Sequence, residues 1–281
     1  DTVPLGRVHG AMSHGYHRSL FSTTVATALR DRAIAYDDTA RDFLDNMELK
    51  RVLMEVKAQT GRKIDLVGFD ACLMNMLELA YELRETADFI VGSEESEPGD
   101  GWPYDTVLAD LVARPGMSAQ ELGATIVKRY VESYPSESVT QSLLDLRQAP
   151  QVTEAVDALA SVLLTVIKNP MGFVAVHRAI KATQAYAIRD FVDLGDLLKQ
   201  LLKQLKSVSP ALEQHTLELL KKGPESLRAF VAAEGHKGQT VARSTGVTIY
   251  CPTPRSQVSV VYERLAFAGK TRWDDFIHAY A

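Results

Sequence analysis

Asp70, Ala71 and Cys72 stand where the apolar run 64–69 (IDLVGF) gives way to the helix-like run 73–85 (LMNMLELAYELRE), placing a carboxyl and a thiol two positions apart at a strand end. Open α/β sheets hold their ligands and catalytic groups at the carboxyl ends of strands. Read as the first turn of a helix, this junction also puts the thiol at the positive end of the helix dipole, which favours the nucleophilic thiolate. The opposing reading is packing, since unpaired cysteine is among the most buried residue types. Asp70 argues against plain packing, because a carboxylate beside an apolar strand needs a partner or a purpose. An acid disfavours a neighbouring thiolate, so Asp70 suits binding a cation better than activating Cys72.

Other reactive residue types give weaker signals. His9, His14 and His17 are spaced by five and three, only the latter pair has one-turn spacing, and no cysteine nearby completes a metal site. No metal site is read from them. Asp37 and Asp38 follow the short apolar run 33–36 and stand at the same sheet edge as Cys72, but two adjacent acids are not a coordination shell, so capping or loop solvation is the default. Asp100 lies among Pro98, Gly99 and Gly101, which by itself makes it a turn aspartate. Glu94 and Glu95 read as solvated loop acids, His177, His215, His236 and His278 as surface or satisfied core residues, and Cys251 as packing.

The elements that must position these groups are legible in the hydrophobic periodicity. Runs 33–36, 64–69 and 88–92 suit strands buried on both faces, and their alternation with helices argues for a parallel α/β sheet. Asp45 with Glu48 and Ser118 with Glu121 have capping-box spacing, and Gly61 is placed to stop the first of these helices. Near residue 150 the texture changes. Residues 1–150 read as the α/β core and 151–281 as a mostly helical part, with 246–251 (GVTIYC) as a late strand that rejoins the sheet.

Composition narrows the function classes. A chain of 281 residues, 46% hydrophobic and 24% charged, can bury ordinary cores, and a net charge of -5 gives no electrostatic reason to expect nucleic acid. The longest apolar runs, such as 158–167, are too short to span a bilayer. The chain opens on Asp1 without a charged-then-apolar signal segment, which leaves the compartment open between cytoplasmic and secreted for a soluble protein of bacterial type. No glycine-rich phosphate loop follows a strand, so nucleotide binding is a remote reading.

The string 68–105 (GFDACLMNMLELAYELRETADFIVGSEESEPGDGWPYD) closely resembles the clostripain-like cysteine peptidases of the caspase-type clan, with weaker similarity over 33–57, 117–134 and 246–280. The resemblance implies a caspase-like, mostly parallel sheet flanked by helices, with a helical C-terminal subdomain. It makes Cys72 the nucleophile and assigns Asp70 and, by position, Asp100 to an acidic pocket that takes arginine or lysine before the scissile bond. The family's histidine lies in a His-Gly pair: His14-Gly15 is the nearer match, His9-Gly10 the alternative, and a histidine on a partner fragment the third, because members mature by cleavage between histidine and cysteine. The N–H groups of Cys72 and Gly15 are the implied oxyanion donors. The implied partners are peptides or proteins carrying basic residues, together with an N-terminal light chain. No organic cofactor is implied, and calcium, which some relatives need, is the ion to consider at Asp37 and Asp38. The competing class is a non-catalytic caspase-like domain or processed fragment that binds basic peptides or a partner chain.

Overall fold

Leu49 and Leu53, four residues apart and both buried, give α1 (Asn46–Thr60) its inner face. Gly61 ends it with a left-handed backbone, φ 72, and an N–H donated to Lys57 O at 2.9 Å. The computed structural model describes residues 46–205, 225–254, 258–259 and 262–281. The strand expected at 33–36 and Asp45 of the first capping box lie outside them.

β1 (Ile64–Gly68) runs parallel to β2 (Ala87–Gly92), with α2 (Leu77–Leu83) as the crossover. β3 (Val139–Asp145) pairs antiparallel to β2, and β5 (Val231–Lys237) antiparallel to β3, giving the order β1-β2-β3-β5. Among the described residues the sheet is therefore mixed, although strand-helix alternation argued for parallel pairing. The alternation holds only as far as β2; β3 then returns in the opposite sense, and β5, antiparallel to β3, runs in the same direction as β1 and β2.

Period-two alternation puts the sheet between two layers. Phe89, Val91, Val139 and Leu143 face a cluster with Val107 of α3 (Tyr104–Ala113) and Ile126, Val127 and Tyr130 of α4 (Ala119–Ser133). Ile90 and Leu144 face the larger core, shared with α2, α5 (Ala149–Val166), α6 (Pro170–Ala182), α7 (Leu194–Leu205), α8 (Ala266–Lys270) and α9 (Trp273–Tyr280). The Ser118–Glu121 capping box forms as its spacing predicts.

The late strand takes a different partner from the one expected. β6 (Thr248–Tyr250) pairs antiparallel with β4 (Phe191–Asp193) in a sheet of their own. Among the described residues it meets the chain around β1 through a bridge between Met76 and Thr248, where the Thr248 N–H reaches Asn75 O at 2.9 Å. The apolar sequence predicted a buried strand; the backbone bonds of Val192 and Ile249 decide which strand it joins.

Every residue of α2 is buried, including two acids. Glu82 accepts the Lys50 ammonium at 2.6 Å and the Ala266 N–H. Glu78 Oε1 accepts the Tyr250 N–H at 2.9 Å and the Tyr262 hydroxyl at 3.1 Å. Burial nevertheless pushes the Glu78 carboxyl up to about 7. These contacts fix α2, and the turn before it, against both halves of the chain.

Candidate active site

Beyond β1 the Phe69 N–H still pairs with Val91 O at 2.8 Å, but the chain then turns across the ends of β1 and β2. Leu73 takes a left-handed backbone, φ 63, which costs a residue with a Cβ about 1–2 kcal/mol. Neighbouring bonds over-determine it: Leu73 N–H to Glu95 O at 3.2 Å and Asn75 N–H to Ser93 O at 3.0 Å. The Asn75 amide also donates to Ser142 O at 2.8 Å and to the Ser142 hydroxyl, which in turn donates to Gly246 O. Residues 73–76 are thus committed to sheet-end bonds, so the helix expected from 73 begins only at Leu77.

Cys72 sits in this turn, 8% exposed, and its sulfur accepts the Glu97 N–H at 3.3 Å. The helix-dipole argument therefore fails for this thiol: α2 starts too late, and the Glu97 backbone, its N–H at 3.3 Å and its carbonyl at 3.9 Å from the sulfur, stands where the dipole was expected. Cys72 and Cys251 form no disulfide. Cys251 lies wholly inside the core, where burial, then Asp190 and Glu78, raise its thiol well above the ordinary range.

Asp70 is exposed, and its Oδ2 accepts the Tyr104 hydroxyl at 2.9 Å and the Trp102 N–H at 3.3 Å. The loop from Glu97 to Tyr104 folds onto this carboxylate because residue 101 has no side chain. Gly101 carries φ +65, and a Cβ there would stand 2.9 Å from Asp70 Oδ2. The Tyr134 hydroxyl holds the same loop through Gly101 O at 2.6 Å.

The acid that this folding brings to Asp70 is Glu97. Its Oε1 accepts the Trp102 indole N–H at 3.4 Å, and its Oε2 is buried. Burial, then the hydrogen bond and charge repulsion with Asp70, push the Glu97 carboxyl up to about 9, so it holds a proton at neutral pH. Tyr104 is pushed up to about 12 by burial and by Asp70. Asp100, the acid chosen from sequence, is exposed at the turn between Gly99 and Gly101.

Glu94 is a correction. Far from being a solvated loop acid it is 1% exposed, accepting the Tyr186 hydroxyl at 2.8 Å and the Gly246 N–H at 3.1 Å. The Tyr186 hydroxyl also lies 3.2 Å from Asp193, which accepts the Thr245 N–H and hydroxyl at 2.6 and 2.7 Å. Burial, then the Asp193 charge, raise the Glu94 carboxyl well above its ordinary value. This buried acid pair ties the end of β2 to β4. Glu95 is half-buried, its carboxylate accepting the Ala187 N–H at 3.1 Å.

Among the described residues the histidines are engaged elsewhere: His177 with Tyr280, His236 with Glu234, and His278 with Glu263 and Asp274. His9, His14, Gly15, His17, Asp37, Asp38 and His215 lie outside the described residues. Among the described residues no group of three or more His, Cys, Asp or Glu is placed to hold a metal ion, and no helix is long and apolar enough to cross a membrane.

Sequence reasoning singled out Cys72 and Asp70; it did not single out Glu97 and Tyr104, which the structure sets against Asp70. Glu97 precedes Pro98 in a loop rich in acids, and nothing in the string separates it from Glu94, Glu95 or Asp100. Tyr104 opens α3, a position that ordinarily says only that a helix begins.

A strand-end thiol under a loop that closes on a carboxylate marks this as an α/β protein with a candidate nucleophile beside two acids, Asp70 and Glu97. The pattern of the clostripain family matches residues 14–280, and the chain belongs to that family. It is 29% identical to clostripain of Hathewaya histolytica over 161 residues, 46% of this chain and 30% of the relative, so the match covers about a third of that protein's length. Solved structures share the fold. A clostripain from Bacteroides thetaiotaomicron in complex with a peptide inhibitor containing VLTK has a TM-score of 0.58 at 18% identity, covering 84% of this chain and 97% of that one. An inactive zymogen C11 protease from Parabacteroides distasonis gives 0.56 at 18% identity, covering 83% and 64%. A secreted C11 cysteine protease from Bacteroides thetaiotaomicron with an irreversible peptide inhibitor gives 0.59 at 19%, covering 85% and 66%.

Proposed function

We propose that the chain is a cysteine endopeptidase that cleaves after arginine or lysine. The observation that carries this reading is the joint placement of the Cys72 sulfur and the Asp70 carboxylate on one turn, under the loop that donates N–H groups to both. Cys72 attacks the scissile carbonyl as thiolate, and the Glu97 N–H favours negative charge on sulfur. A histidine, His14 with His9 as the alternative, protonates the departing amine. The N–H groups of Cys72 and Gly15 stabilise the oxyanion, and water then releases the acyl-enzyme. Asp70 binds the basic side chain by charge-assisted hydrogen bonds, with Asp100 at the lip of the same loop as a second acid.

The inhibitor of the Bacteroides thetaiotaomicron clostripain, whose VLTK sequence ends in lysine, supports the basic preference. The zymogen form of the Parabacteroides distasonis protease supports a maturation step, which here is self-cleavage after Arg7, Arg18 or Arg32, leaving an N-terminal light chain as partner. Calcium binding at Asp37 and Asp38 belongs to the same proposal. The test is covalent labelling with lysyl and aspartyl acyloxymethyl ketones, read by intact mass and peptide mapping. One adduct on Cys72 from the lysyl reagent is expected; equal labelling by both, or an adduct on Cys251, overturns the reading.

A further inference from the structure

Glu97, the acid that the loop brings to Asp70, has a feature that a plain anion does not explain. Glu97 contacts both halves of the candidate site: its backbone N–H meets the Cys72 sulfur at 3.3 Å, and its carboxyl faces Asp70. Around it lie buried polar atoms without a well-formed hydrogen bond among the described residues, although the Gln141 amide lies near enough to act on the Glu97 carboxyl. They are Glu97 Oε2, Tyr130 Oη and both Gln141 side-chain atoms. Buried polar groups in native proteins are ordinarily paired, so orphans grouped beside an accessible carboxylate point to a polar ligand. An ammonium or guanidinium, with three or five donors and no acceptor, fits the acceptors of this set, Glu97 Oε2, Tyr130 Oη and Gln141 Oε1.

We propose, resting on the peptidase reading above, that Glu97 is the residue that completes recognition of the basic side chain, and that it does so by exchanging a proton for the substrate's cation. Without the cation the proton sits on Glu97, whose buried carboxyl faces the Asp70 carboxylate. When the cation enters, the Glu97 O–H bond breaks, the proton leaves to solvent, and the cation takes its place between the two carboxylates. One positive charge replaces another, so the pocket keeps its net charge. A neutral side chain cannot make this exchange, and discrimination gains from leaving Glu97 protonated beside it.

The groups that face Glu97 leave it as the one that titrates on binding. Tyr104 from α3 is held up at about 12, and Tyr130 and Tyr134 from α4 are raised by burial, so all three stay neutral. Gln141 from β3 carries no titratable group. Cys72 is removed by substitution in the test, and Asp70 is the partner in the exchange.

The experiment is titration calorimetry of the full chain carrying Cys72→Ala with an acetylated peptide ending in arginine amide. It is run at pH 7 in buffers of different ionisation enthalpy, with the citrulline peptide as neutral isostere. Close to one proton released per arginyl peptide is expected, with affinity rising about tenfold per pH unit between pH 7 and 8. The citrulline peptide should release none, and Glu97→Gln should release none and bind independently of pH. Proton release unchanged in Glu97→Gln, no release by the parent chain, or no binding at all overturns the proposal. Hydrolysis of the same peptide by the unsubstituted chain is scored separately. Arginyl cleavage without proton release sinks only the role of Glu97, and proton release without cleavage sinks only the peptidase reading.

Discussion

Gly101→Ala tests whether the pocket loop is built around Asp70. Two costs are expected. A Cβ on a backbone at φ +65 costs about 1–2 kcal/mol, and that Cβ would stand 2.9 and 3.1 Å from the two Asp70 oxygens. The carboxylate must then shift away from the Tyr104 hydroxyl and the Trp102 N–H. Losing one bond to a charged group costs about 1.5–3 kcal/mol when buried, and solvent around the exposed Tyr104 holds this to the low end. The expected total is about 2–3 kcal/mol of unfolding free energy, with a fall of about tenfold or more in kcat/KM toward an arginyl substrate. Two other glycines separate the terms. At Gly61, φ +72 with nothing within 4 Å of an added Cβ, alanine should cost the backbone term alone, about 1 kcal/mol. At Gly99, in the same loop with open space and no positive φ, it should cost less than about 0.5 kcal/mol. Urea unfolding of the three variants beside their arginyl kinetics is the assay. A Gly101→Ala chain no less stable than Gly61→Ala, with unchanged kinetics, would refute the argument that Asp70 is held against this loop.

Three further outcomes follow from buried groups. Glu78, raised from 4.5 to about 7, contributes stability that is full below about pH 4.5 and is lost as pH rises through about 7, roughly 3 kcal/mol in all; Glu78→Gln should flatten that part of the pH–stability curve, and an unchanged slope would contradict it. Glu94 is raised in the same direction, so Glu94→Gln should gain stability relative to the parent as pH rises, whereas a relative loss toward high pH would show that its carboxylate is the stabilised form. Asn75→Ala should cost about 2–3 kcal/mol in denaturant unfolding, since it removes the amide that bridges the turn to Ser142; near-parent stability would mean that Leu73 and Cys72 are positioned without it.

How far the sequence could be read depended on what kind of signal each element carries. β1 and β2 announce themselves as apolar runs bounded by glycine, and α4 by its capping box. β3 hides because its buried residues include Thr140, Gln141 and Ser142, of which Thr140 and Ser142 bond the loops over the sheet end. β5 hides for a different reason: as the last strand of the order it is only half-buried, so VAAEGHK needs little hydrophobic alternation. Cys72 and Asp70 stood out because a thiol and an acid at a strand end coincide with the string 68–105 that resembles the clostripain family; the thiol alone reads as readily as packing. The placement of Glu97 beside Asp70 was not legible, because it depends on Gly101 turning the loop back onto Asp70, and a left-handed φ is not spelled out by a glycine in a turn-rich string. Glu94 was misread for the same reason: its partners Tyr186, Asp193 and Gly246 come from segments about a hundred residues or more away in sequence.

The central claim, that Cys72 is the nucleophile of a peptidase selecting basic residues, is tested most directly by hydrolysis of fluorogenic peptides ending in Arg, Lys, Asp or Leu. The unsubstituted chain and Cys72→Ala are compared side by side. Cleavage confined to the Arg and Lys peptides and abolished in Cys72→Ala is the predicted result. Cleavage that survives the substitution, or that prefers Asp or Leu, would contradict the account.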